Sequence, residues 1–226
     1  MRHRPAIIAA LPREVAPLVK GWSARHFAGN IWTYTNGEAI VACAGMGPAR
    51  AARAVQAAME AMPITGLISA GLAGACDPAL HAGEVVRAGI VIDSKTGERF
   101  RDEHFNKVLV TSDVVANVAE KARLRASYGA SAVDMEAAEV ARLAQAHGLD
   151  FCAIKTISDE ADFEVEGLSR FATADGQFRE IAFALHSAVR PRMWPKLLHL
   201  GQNSAKAIAA LTEALESELD WYRREG

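Results

Sequence analysis

Short apolar strands alternate with helices along the first two thirds of the chain, and any fold must bury those strands. "PAIIAAL", "ITGLISAGLAGA" and "DFCAIKTIS" each read as a buried strand. "GEVVRAGIVID", "KVLVTS" and "ASAVDM" read as further strands, and "IWTYTNGEAIVACAG" as a hairpin whose Asn36–Gly37 pair suits a tight primed turn. Between them, "GMGPARAARAVQAAMEAM" opens on glycines into an Ala-rich helix, with Pro48 in its first turn. "REVAPLVKGW" reads as a short helix or turn, 114–127 as a helix, and 136–147 as a helix stopped by Gly148. After Asp162 the pattern changes to longer helical stretches, roughly 178–189 and 203–222. Strand–helix alternation of this kind predicts an α/β fold, a mixed and mainly parallel sheet flanked by helices in three layers. At 226 residues, with no repeat or linker, residues 1–226 are expected to form a single domain with a helical C-terminal part, 163–226.

Composition removes several functions. A net charge of −2 leaves no electrostatic footprint for nucleic acid. Cys43, Cys76 and Cys152 are far apart in apolar surroundings, which fits reduced thiols in a cytoplasmic protein. The N-terminal apolar run, Ala6 to Leu11, is too short for a signal-peptide core, and no run could span a bilayer. His81, His104, His147, His186 and His199 have no metal-ligand spacing, so neither a metal nor a cofactor is expected.

In open α/β sheets, ligands bind beyond the carboxyl ends of the strands. That rule selects five places: Leu11–Glu14, Gly45–Gly47, Gly71–Gly74, Asp134–Glu136 and Ser158–Asp162. The glycine loops match no dinucleotide pattern, because Arg50 stands where "GMGPAR" needs a third small residue, and no P-loop exists. Two such loops let a ligand approach the backbone, or are simply tight turns. Each of Glu14, Glu136 and Asp159 alone is an ordinary first-turn acid. Together they occupy three carboxyl-end junctions of one sheet.

"AIIAALPREV", "AGMGPARAA", "LISAGLAGA" and "AVDMEAAEVARLAQAHGLDFCAIKTISDEAD" stand in the order and spacing of the purine nucleoside phosphorylase/nucleosidase superfamily. Among its branches the chain most resembles the methylthioadenosine/S-adenosylhomocysteine nucleosidases, over roughly residues 5–95 and 130–162. The specific part is the M-E-A and S-D-x-A-D pair. The resemblance implies that Glu136 binds the ribose hydroxyls and that Met135 packs on the sugar. It further implies that Asp159, with Ser158 beside it, protonates or hydrogen-bonds purine N7, and that Glu14 activates the attacking water. Gly71 and Leu72 would border the substrate. A homodimer is also implied.

Those residue types suit the chemistry. Breaking a purine N-glycosidic bond leaves an oxocarbenium-like sugar and a poor anionic leaving group. An acid at N7 lets the base leave neutral, and a carboxylate on the 2′ and 3′ hydroxyls puts negative charge near the sugar cation.

The chain departs from the phosphorylase pattern at the second glycine loop. Ser69 and Leu72 stand where phosphorylases commonly place an arginine and a serine for phosphate, and Leu72 also replaces the serine of the nucleosidases. Asp134 stands where nucleosidases often have glutamate. A phosphate charge 4 Å from Glu14 would be repelled by about 4 kcal/mol at an effective dielectric of 20. Water is therefore the expected nucleophile, with Gly47 and Arg50 as the phosphate contacts if phosphate serves instead. "GLAGACDPALHAGEVV" resembles the hopanoid-associated branch, which implies adenosylhopane as an alternative substrate. "HSAVRPRMWPKLLHL" combines basic Arg190, Arg192 and Lys196 with apolar Met193, Trp194, Leu197 and Leu198. That segment packs on the core or a second subunit, or touches a membrane if the substrate is lipid-like. A third alternative is a nucleoside-binding protein without turnover.

Overall fold

The computed structural model describes residues 4–163 and 194–225. At the centre of one mixed sheet, β1 (Pro5–Ala9) lies parallel to both β4 (Ile40–Cys43) and β5 (Gly66–Ala75). All five residues of β1 are buried, as its unbroken apolar run demands. Beyond β4, the strands β3 (Ile31–Thr35) and β2 (Ser23–Phe27) add antiparallel.

The period of two along these strands sorts side chains between layers. Ile7 and Ala9 of β1 and Val41 and Cys43 of β4 face α5 (Trp194–Glu225), where Leu211, Leu215 and Leu219 recur on one face. Ala6, Ile8, Ile40 and Ala42 face the opposite way, against α2 (Pro48–Ala61) and α4 (Ala137–His147). Each buried Leu or Ile contributes about 1.5–3 kcal/mol relative to exposure.

On the other side of β5 the sheet curls up. β5 pairs with β10 (Asp150–Asp159), β10 with β6 (Val85–Asp93), β6 with β8 (Lys107–Thr111) and β8 with β9 (Ala132–Asp134). β9 returns to the far end of β5 through Gly74 and Ala75, which closes a ring of five strands. β7 (Arg99–Arg101) pairs with the outer edge of β6. The remaining helices are α1 (Pro12–Val15) and α3 (Val118–Tyr128).

Several boundaries differ from the sequence reading. "GLAG" is not a loop: Gly71–Gly74 lie inside β5, because that strand continues past β1 to pair with β9. The Asn36–Gly37 turn is four residues long, with positive φ at Gly37 alone. The Asn36 side chain accepts from the amides of Glu38 and Ala39, and this wider loop replaces the primed turn. Helix α3 starts four residues late, at the cap where Asn117 Oδ1 accepts from the Glu120 amide at 2.9 Å. Helix α5 starts at Trp194, earlier than 203, with Pro195 tolerated in its first turn. The expected helix over 178–189, with Arg190, Arg192 and Met193, lies outside the described residues. Among the described residues no helix is long and apolar enough to cross a membrane.

Candidate active site

The five junctions converge. Leu11, Glu14, Met46, Leu72, Asp134, Met135, Glu136, Ser158 and Asp159 all line one cavity of about 740 Å³. Two clusters of charge stand in its wall.

The first is built around Lys155 in the middle of β10, whose side chain is 1% exposed. Its Nζ lies 2.9 Å from Asp134 Oδ2 and 3.3 Å from the Ala70 carbonyl oxygen. Burial alone would lower the Lys155 ammonium, but Asp134, Glu136 and Glu14 outweigh it and hold it above its ordinary value. Asp134 is as much a structural acid as a site acid. Its Oδ2 accepts from the Ala137 amide at 2.9 Å, at the start of α4, and its Oδ1 accepts from the Thr111 hydroxyl at 2.7 Å.

Glu136 immediately precedes α4 and is held from across the sheet. The Gly47 amide donates to its Oε1 at 2.7 Å. Burial, with the Asp134 charge adding, pushes the Glu136 carboxyl up to about 7 against the pull of Lys155. Glu14 is buried too, and its Oε2 accepts from the Leu11 amide at 3.0 Å. Burial raises its carboxyl, while the Leu11 bond and Lys155 oppose the rise. Gly71 makes room for it: φ is +138° there, and a Cβ would sit 3.3 Å from Glu14 Oε2.

A raised acid has a stability consequence of definite sign. The native state binds more protons at Glu136 than the unfolded chain does between pH 4.5 and about 7, so stability falls as pH rises through that window. Thermal melts from pH 5 to pH 8 should show the decline. Glu136→Gln should flatten it, and an equally steep decline in that variant would remove Glu136 as its cause.

The second cluster holds Asp159, at the end of β10 where the register shifts. Its Oδ1 accepts from the Ser158 hydroxyl at 2.7 Å, and its Oδ2 accepts from the ammonium of Lys121 on α3. Its side chain is 24% exposed, facing the cavity.

Some expected residues are elsewhere. Arg50 is 7% exposed, neither a surface residue nor a lining one, and its Nη1 donates to the Gly29 carbonyl at 2.8 Å. The Gly47 amide is already given to Glu136. Gly71 lies behind Glu14 rather than in the lining. Conversely, sequence reasoning missed Lys155, Lys121 and the lining residue Arg13, and also the wall that α5 supplies through Leu200, Gly201, Ser204, Ala205 and Ile208. A charge inside the apolar run of "FCAIKTIS" was a readable sign for Lys155. Lys121 in "VAEKARL" gave none.

Known proteins share this arrangement of elements. The Helicobacter pylori 5′-methylthioadenosine/S-adenosylhomocysteine nucleosidase superposes with a TM-score of 0.71 at 17% identity, over 97% of this chain and 98% of that one. Futalosine hydrolase of Helicobacter pylori gives 0.70 at 18%, over 97% and 98%. The 5′-methylthioadenosine nucleosidase of Arabidopsis thaliana gives 0.71 at 16%, over 97% and 96%. At these identities the likeness is one of fold. No curated protein matches the chain in sequence. The sequence model of the Phosphorylase superfamily matches residues 4–108 and 97–190, which is most of the chain. The chain is an enzyme of the Phosphorylase superfamily.

Proposed function

We propose that the enzyme cleaves the N-glycosidic bond of a 5′-modified adenine nucleoside, releasing adenine, with water as the nucleophile. The observation that carries this reading is the gathering of Glu14, Glu136 and Asp159 in one cavity wall, in two separately held clusters. Glu136 binds the ribose hydroxyls and Asp159 meets the base. Glu14 is buried and its carboxyl raised, which suits a general base that takes a proton from water. Met135 and Leu72 supply apolar contact.

A phosphate-dependent reaction on a nucleoside with a large apolar 5′ group, such as adenosylhopane, is the second reading. It is favoured by the cavity's size, in the upper part of the usual 300–1,000 Å³ range, and by its apolar lining along Val114, Val115, Leu200, Ala205 and Ile208. Adenine release from methylthioadenosine, S-adenosylhomocysteine and adenosine, each with and without phosphate, tests both. Release that does not need phosphate is expected. Release only with phosphate would make the enzyme a phosphorylase and draw attention to Arg13. Binding without release would leave a nucleoside-binding protein.

A further inference from the structure

Lys121 is 2% exposed, yet it reaches the cavity. A lysine on a surface helix ordinarily extends its ammonium to water. This one turns inward, and its three protons find three acceptors: Asp159 Oδ2, the Glu160 carbonyl oxygen at 2.7 Å and the Phe163 carbonyl oxygen at 3.3 Å. Gly74 leaves the space for it. A Cβ at Gly74 would lie 3.0 Å from both Asp159 Oδ2 and Lys121 Cε. Asp159 Oδ1 meanwhile receives the Ser158 hydroxyl. Each oxygen of Asp159 thus already receives a donor from the protein, one of them a buried ammonium.

A base that leaves neutral needs a proton from somewhere. Resting on the nucleoside-cleavage reading above, we propose that Lys121 is the positioning residue of Asp159 and the source of the proton that Asp159 passes to the leaving base. As the C1′–N9 bond breaks, its electron pair goes to the base. Lys121 Nζ gives a proton to Asp159 Oδ2, and the carboxyl so formed gives it to N7, leaving a neutral amine. Water adds its oxygen to C1′ and its proton goes to Glu14, then to solvent, from which Lys121 is reprotonated. One water is consumed, as hydroxyl on the sugar and hydrogen on the base. The titratable groups around Lys121 are Asp159, the Cys76 thiol that burial pushes up to about 12, and Glu120 and Arg125 on α3 itself, while Glu160 offers its backbone carbonyl and turns its carboxylate to His81.

The test is the pH profile of kcat and of KM in the full chain for the natural enzyme, Lys121→Arg and Lys121→Met, with melting curves as the folding control. Arginine keeps the cation and the donors to Asp159 but does not release a proton. Lys121→Arg is expected to hold KM within a few-fold and to lose about 10²–10⁴-fold in kcat. Lys121→Met is expected to regain rate toward acid pH, where Asp159 draws its proton from solvent. Natural kcat in Lys121→Arg across the whole profile would overturn the proposal and leave nucleoside cleavage standing. No base released by the natural enzyme from any nucleoside would overturn both.

Discussion

Asp159→Asn should lower kcat by about 10²–10⁴-fold, the usual contribution of a positioned proton donor, while the protein keeps its fold. The substitution removes the atom that can carry a proton to the base and little else. The asparagine carbonyl still accepts from Lys121, and its amide can donate to the Ser158 oxygen that now donates to Asp159. The buried ammonium is therefore not stranded, and its two backbone acceptors at Glu160 and Phe163 are untouched. Steady-state kinetics on the released base, beside a melting curve, makes the check. A well-folded variant turning over at the natural rate would remove Asp159 from the chemistry and make its place in the cavity wall incidental.

Lys155→Met should cost about 3–5 kcal/mol of stability, the range found when one partner of a buried ion pair is removed. For a chain of this length that is a fall of about 6–20 °C in Tm. Methionine fills similar volume, so the loss is electrostatic. Asp134 would keep the Thr111 hydroxyl and the Ala137 amide, but three buried acids would lose the ammonium they share, and Glu14 would keep only the weaker pull of Arg13. Adding Asp134→Asn to Lys155→Met should recover part of the loss, because the nearest unpaired charge goes too. Melts of both variants at several pH values above 7, past the value to which Glu136 is raised in the natural protein, give the cleanest reading. A Lys155→Met protein that melts with the natural one would mean the acids are neutral there, and the account of Glu136 would need rebuilding.

What could be read from the sequence followed burial. β1, β5 and β10 are apolar because both their faces are covered, and α4 announced itself through its apolar period and Gly148. "SARHF" gave no sign of β2, since all five of its residues are exposed and it is held to β3 by backbone pairing. β7 was missed likewise, being three residues on the outer edge of β6. The acids of the cavity wall were legible because they fall at strand ends. Of their cations, Lys155 was signalled only as a charge inside an apolar run, with nothing to say which acid it meets, and Lys121 was not signalled at all. Lys121 lies 38 residues from Asp159 and finds it only when α3 packs beside the ring.

The ring also sets the order in which this enzyme can come into being. β5 is complete at Ala75, but its long partner β10 ends at Asp159, and their pairs join residues some eighty positions apart. Contacts of such separation must overcome loop-closure entropy before they return anything, which slows folding. A chain emerging from the ribosome can dock β1, β4 and β5 early. It has no cavity while β10 is missing, since Lys155, Ser158 and Asp159 arrive together on that last strand of the ring. Until then the edges of β5 and β6 that β10 will cover stand open, and open edges invite pairing with other chains. Relief from that hazard and the arrival of Ser158 and Asp159 come in the same step, when one strand slides between two others, and α5 then adds the last wall of the cavity.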